Sequence, residues 1–297
     1  MKPKRVRTLT LEAPSSPGRL AWISAASGLV KVGKSLYVVA DDELSLGIFE
    51  AEGEKPGKLL KLFDGELPLD PKARKKEKPD LEGLALLPGG LLAVPSGSKP
   101  NRCRGSFIPL ASDGKPSGSP QDVNFSKLYE KLSKEIKALN IEGAAVLGEK
   151  LILLQRGNSA SGENLLIELD LEKILKAIGS KQPLPDAIRS ITSCDLGKLR
   201  NVPLSFTDAC PLPNGRLLFT AAAEQTDDPY LDGPCEGSAL GIIEKNRIAW
   251  IEEIKGTEKV EGVWAVEREN EWEVLMVTDG DEAGKPATLF GTKIQSS

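Results

Sequence analysis

Residues 79–98 read PDLEGLALLPGGLLAVPSGS, two short apolar runs around a Pro-Gly-Gly turn, with a glutamate, Glu82, at the head of the first. An apolar run bounded by turn residues is the mark of a buried strand, and two such runs joined by a tight turn form a hairpin. A lone acid at a strand end carries little meaning. Glu82 gains meaning because the chain repeats the phrase.

The repeats are SGLVKVGKSLYVVADD (27–42), EGLALLPGGLLAVPSGS (82–98), EGAAVLGEKLILLQRGNS (142–159), DACPLPNGRLLFTAAAE (208–224) and EGVWAVERENEWEVLMVTDGDE (261–282). Each begins with an oxygen-bearing residue and a small residue, runs through a strand, a turn and a second strand, and ends in a polar cluster. The phrase returns at intervals of about 53–66 residues. Two further strands fit in each interval, for example GSFIPLA and SPQDVNF after Glu82, and SALGIIE and RIAWIEEI after Asp208. Four strands per unit, repeated, describe an all-β propeller. Five heads predict five blades in one domain over residues 1–297, with six blades as the alternative if one interval hides a degenerate unit. The last unit has three strands, and RVRTLTLE near the start supplies the missing outer one, closing the ring and removing exposed edges. FSKLYEKLSKEIKAL and LEKILKAI read as helices packed on the ring, and PKARKKEKPD as a solvated linker.

Composition narrows the chemistry. The chain of 297 residues carries a net charge of −4 and contains no histidine. Histidine-based triads, histidine phosphotransfer and histidine metal ligands are therefore excluded. The charge gives no reason to expect a nucleic-acid partner. No apolar run reaches bilayer length and the start lacks an apolar signal core, so a soluble, cytoplasmic monomer is the expectation. The four cysteines, Cys103, Cys194, Cys210 and Cys235, show no CxxC spacing. Ser96 and Ser98 lack both a histidine base and an SxxK lysine, which argues against a serine nucleophile.

The innermost strand of a propeller blade lines the central channel. Ser27, Glu82, Glu142, Asp208 and Glu261 are then expected to form one ring. Carboxylates gathered in a narrow channel repel one another, and a hard cation relieves the repulsion. Calcium suits such a ring because it takes six to eight oxygens in flexible geometry, and magnesium ranks second. The second strand of each blade returns to the same face, so its end should build the channel mouth. Asp41, Asp42, Arg102, Arg156, Glu224, Asp279 and Asp281 are the expected ligand-binding residues there, with Lys99 and Arg104 beside them.

The head series Ser27, Glu82, Glu142, Asp208 and Glu261, together with the first phrase and its final acidic pair, resembles the axial site of the calcium-activated nucleotidase (apyrase) family. That family has a serine at the fourth head, where Asp208 stands in this reading. The resemblance implies a five-bladed propeller with axial calcium, acting as a cation-dependent hydrolase of a small phosphorylated or other anionic substrate. The chain also resembles an uncharacterised group of bacterial propeller proteins, a resemblance that implies no activity. A non-catalytic binding propeller with a structural cation, and a lactonase- or esterase-like hydrolase, are the alternatives.

Overall fold

The computed structural model describes residues 1–157, 163–224, 235–256, 259–280 and 284–295. Five antiparallel sheets form the expected ring, and the count is five, not six. Blade one comprises strands Ala26–Val32, Ser35–Ala40, Ser45–Glu50 and Lys58–Lys61. Blade two comprises Leu81–Leu87, Gly90–Pro95, Arg104–Pro109 and Gln121–Asn124, and blade three Ile141–Leu147, Lys150–Gln155, Leu165–Asp170 and Ile188–Ser193. Blade four has inner strand Val202–Leu212, then Arg216–Glu224, Cys235–Glu244 and Arg247–Ile254, with a two-residue strand Lys198–Leu199 added beside the first. Blade five has Lys259–Arg268, Glu271–Asp279 and Thr288–Gln295, and its outer strand is Lys4–Thr8, paired antiparallel with Thr288–Gln295.

The apolar runs do not alternate with polar residues because each blade is buried on both faces. In Ser35–Ala40, Leu36, Val38 and Ala40 pack toward blade five, while Tyr37 and Val39 pack toward blade two. The same division gives one apolar core for each of the five blade interfaces. No blade can bury its faces alone, so the ring stands or falls as a unit. Removing residues 1–8 should therefore lower the unfolding midpoint, because it bares the edge of Thr288–Gln295 and deletes the fully buried Arg7 side chain. Denaturant titration of the truncated and full chains checks this.

Three helices decorate the ring: α1 (Pro71–Glu77), α2 (Ser126–Leu132) and α3 (Leu171–Gly179). Helix α2 stops well short of its apolar pattern, yet Ile136 and Leu139 beyond it still pack into the core between blades two and three. The charged run expected to be a linker is α1. Asp70 caps it by accepting from the Ala73 N–H at 2.8 Å, Pro71 opens its first turn, and Pro79 follows its end. Arg74 and Lys78 from this run are buried, which no solvated linker would allow. Among the described residues, no helix is long and apolar enough to cross a membrane.

Candidate functional site

Every inner strand carries a one-residue bulge where it approaches the axis. The unpaired residue is Ser27, Glu82, Glu142, Thr207 and Glu261 in blades one to five. The bulge corrects the fourth head. Thr207 occupies the position equivalent to the glutamates, and Asp208 occupies the position of Gly28, Gly83, Gly143 and Gly262. A signal was present in the sequence: an apolar residue precedes each head (Ala26, Leu81, Ile141, Phe206, Val260), and by that rule the fourth head is Thr207. Its hydroxyl lies 2.9 Å from the Val260 carbonyl oxygen and 2.9 Å from the Thr220 hydroxyl, linking blades four and five.

Asp208 consequently sits beneath the ring, where the inner strands almost touch. A Cβ on Gly143 would lie 2.8 Å from the Asp208 Cα, so only glycine fits there. The Asp208 side chain is wholly buried and accepts a 2.9 Å bond from the Val263 N–H. The N–H groups of Ala209, Leu29 and Ala144 also turn toward its carboxyl, in looser geometry. Burial outweighs these donors and pushes the carboxyl well above its usual range. Asp208 does not line the mouth.

The mouth is a cavity of about 70 Å³, room for an ion and a few waters. Ser27, Glu82, Glu142 and Glu261 line it, as do Asp41, Arg102, Arg156 and Asp279 from the loops. Glu224 stands just behind this wall. Asp42 turns away: Arg19 holds it at 2.9 Å and Arg74 of α1 approaches at 3.7 Å. Arg104 also faces outward, paired with Asp122 at 2.8 Å and lying over the Phe63 ring. Asp281 falls outside the described residues.

The sequence reading missed five groups of the mouth, Lys75, Lys78, Asp80, Asn140 and Lys259, and Ser98 and Lys99 line it as well. Asp80 and Lys259 stand two residues before their heads, and both line the cavity with them. Lys78 joins Asp41 to Asp80, lying 2.8 Å from the latter. Asp80 also meets Arg102 at 2.6 Å and the Ser96 hydroxyl at 2.5 Å, and adopts a left-handed φ of 60°. An aspartate there is strained, and its partners on all sides hold it. Burial pushes Asp80 up, but Lys78 and Arg102 outweigh burial and hold it below the usual carboxylate range. Across the channel, Lys259 lies 2.6 Å from both Glu224 and Glu261, and Arg156 joins Glu224 to Glu142.

Glu82 is different. Among the described residues it has neither a hydrogen-bond nor an ion-pair partner. Its oxygen lies within 4.8 Å of oxygens of Asp41 and Asp80. Burial, then Glu142, Asp80 and Asp41, pushes it well above the usual range. Burial also raises Glu142 to about 7, with Arg156 opposing and Glu261 adding to the rise.

Comparison with known proteins supports the fold. Glutaminyl cyclase of Myxococcus xanthus is similar over 99% of this chain and 100% of its own, at 12% identity and a TM-score of 0.51. A bifunctional GH43-CE protein of Bacteroides eggerthii is similar over 96% of this chain at 11% identity and a TM-score of 0.51, and this chain spans 34% of it. Hydrazine synthase of Kuenenia stuttgartiensis matches 96% of this chain and 66% of its own, at 11% identity and a TM-score of 0.41. These neighbours include enzymes, and at such identities the likeness is one of fold. No curated protein matches the chain. A family model does match, over residues 22–294, and the chain belongs to that family of unknown function, DUF6929.

Proposed function

We propose that the channel mouth is a divalent-cation centre, with calcium as the preferred ion, and that it serves the hydrolysis of a small anionic substrate. The observation that carries this reading is the unpartnered Glu82 carboxylate, set within 4.8 Å of two more carboxylates. Glu82, Asp41 and Asp80 would supply the charged oxygens, with Ser27 and Glu142 nearby in the same cavity. The donor set is all oxygen, which suits a hard cation. Asp41, Asp80, Glu82, Glu142, Glu261 and Asp279 share the cavity wall with Lys75, Lys78, Lys99, Arg102, Arg156 and Lys259, so what would draw an added ion is the local carboxylate cluster at Glu82 and not a net charge of the whole mouth. Lys78 already neutralises part of the Asp41–Asp80 corner, which favours an ion held nearer Glu82 and Glu142. Magnesium fits less well, since it demands a regular octahedron that these fixed ion pairs do not offer.

When bound, the cation would supply a Lewis acid to a substrate oxygen. The resemblance to calcium-activated nucleotidases suggests a phosphoanhydride or phosphoester as that substrate. The cavity floor is too small for a nucleotide, so only a terminal anionic group would reach it.

The test is thermal unfolding with calcium, magnesium or chelator. Calcium should raise the midpoint saturably, by the equivalent of about 2.7 kcal/mol at a hundredfold excess over Kd. Glu82→Gln should remove most of that gain, and Asp42→Asn should leave it intact. A metal-free protein with equal midpoints in calcium and chelator would refute the centre. Turnover of a panel of phosphorylated compounds, lactones and esters then separates hydrolysis from simple binding.

A further inference from the structure

The buried cations of the mouth form two matching units on opposite walls. On one, Asp80 holds Lys78 and Arg102. On the other, Glu224 holds Lys259 and Arg156. All six side chains are more than nine-tenths buried, and all four cations line the one cavity. The second unit recruits all three members from separate stretches of chain, and the first brings Arg102 to the sequence neighbours Lys78 and Asp80. Lys78 follows α1 and Arg102 follows the second strand of blade two, and the Arg102 guanidinium also donates to the Lys75 carbonyl at 2.9 Å. Glu224 of blade four reaches sideways to Arg156 of blade three and Lys259 of blade five.

Burying four cations is costly, and apolar residues of similar size would hold the blades together at least as well. Asp80 and Glu224 each anchor one lysine and one arginine, and Asp41, Glu142 and Glu261 meet three of these cations at the cavity wall. An anchoring carboxylate fixes the direction of its lysine and arginine, much as an outer partner orients a metal ligand. Two lysines and two arginines aimed into a cavity of about 70 Å³ make a receptor for a compact, doubly charged oxyanion.

We infer that the mouth binds a compact dianion, a phosphate group or a small dicarboxylate, between the Lys78–Arg102 and Arg156–Lys259 pairs. The inference builds on the cation reading, because an ion beside Glu82 and Glu142 would cancel their charge and leave six lining cations, the four buried ones with Lys75 and Lys99, against Asp41, Asp80, Glu261 and Asp279. It assigns the substrate's anionic group to named side chains, two of them lysines that the repeat pattern does not mark.

Calorimetric titration of the full chain with inorganic phosphate and with malonate tests it, in calcium and in chelator, alongside calcium alone. One phosphate or malonate should bind per chain, more tightly in calcium, and the preference between the two identifies the tetrahedral or the dicarboxylate class. Lys78→Met and Lys259→Met should each weaken binding by about tenfold to a hundredfold, while Lys78→Arg and Lys259→Arg keep most of it. Lys78→Met should at the same time tighten calcium, because it removes a competing positive charge, an opposite response that general misfolding would not produce. If Lys259→Met does not fold, Arg102→Gln and Arg156→Gln provide the second pair. Calcium binding with no saturable uptake of either anion overturns the inference and leaves the cation centre standing. Anion binding that survives unchanged in both lysine-to-methionine variants also overturns it. Anion binding in chelator, in a chain that binds no calcium, supports the two cation pairs and removes the cation centre.

Discussion

Asp208→Ala should cost the ring about 3–5 kcal/mol of stability and leave calcium binding intact. Asp208 stands at the position held by Gly28, Gly83, Gly143 and Gly262 in the other four blades, and its Cα and Oδ1 lie against Gly143 of blade three. It accepts from Val263 of blade five, and the N–H groups of Leu29 and Ala144 face it from blades one and three. Removing it orphans a buried N–H at a cost of about 1–3 kcal/mol, weakens the looser contacts, and opens a void where the inner strands converge. Urea unfolding gives the loss. Calcium titration of the folded fraction gives the contrast with Glu82→Gln. If Asp208→Ala abolished the calcium response as Glu82→Gln is expected to, Asp208 would be a ligand after all, as its first alignment with the glutamates suggests. Asp208→Asn keeps one acceptor and the shape, and should lose less.

The Asp208 result bears on what a repeat can reveal. Blade number, the strands within each blade and the closing strand near the start are periodic properties, and each follows from burial on two faces at a period of two. The bulge is periodic as well, but its position within a phrase depends on which residue loses its partner across the hairpin. Matching "oxygen, then small" picks Asp208–Ala209 in T-D-A-C, whereas matching the preceding apolar residue picks Thr207. The second rule wins because the apolar residue is fixed by the core between blades, and the oxygen is not.

Lys78, Asp80 and Lys259 were hidden for another reason. Their role comes from contacts distant in sequence: Lys78 meets Asp41 of blade one, Asp80 meets Ser96, Ser98 and Arg102 across its own blade, and Lys259 meets Glu224 of the neighbouring blade. No spacing along one chain segment encodes those meetings. The local reading of PKARKKEKPD as a solvated linker failed likewise, because Arg74 and Lys78 are drawn inward by Asp42 and Asp41 from outside the run, together with Asp80 at its end. Conversely, Arg156 reaches the mouth because its place just after a second strand is a property of the hairpin itself, and Arg102 reaches it from the loop between the second and third strands of blade two.

In chelator, the stability of the ring should fall as pH rises from about 5 to 8, and calcium should reverse that trend. The folded chain raises Glu142 from its ordinary value of 4.5 to about 7, and burial with like-charged neighbours raises Glu82 as well. A carboxyl with a raised folded-state pKa binds more protons when folded than when unfolded across that window. Stability contributed by the protonated form is therefore present below about 4.5 and is lost as pH rises through 7. For Glu142 alone the difference corresponds to about 3 kcal/mol. Asp80, held below its ordinary range by Lys78 and Arg102, acts in the opposite sense, but only under more acidic conditions. Calcium binds the ionised carboxylates, so it competes with protons and its stabilising effect should grow over the same interval. Glu82→Gln should flatten the chelator profile, since it deletes one titrating group and relieves its neighbour Glu142. Unfolding midpoints at several pH values, in calcium and in chelator, for the parent and Glu82→Gln, decide the matter. Parallel profiles in calcium and chelator would mean that the carboxylates titrate without reference to any ion, and the cation centre would lose its electrostatic basis.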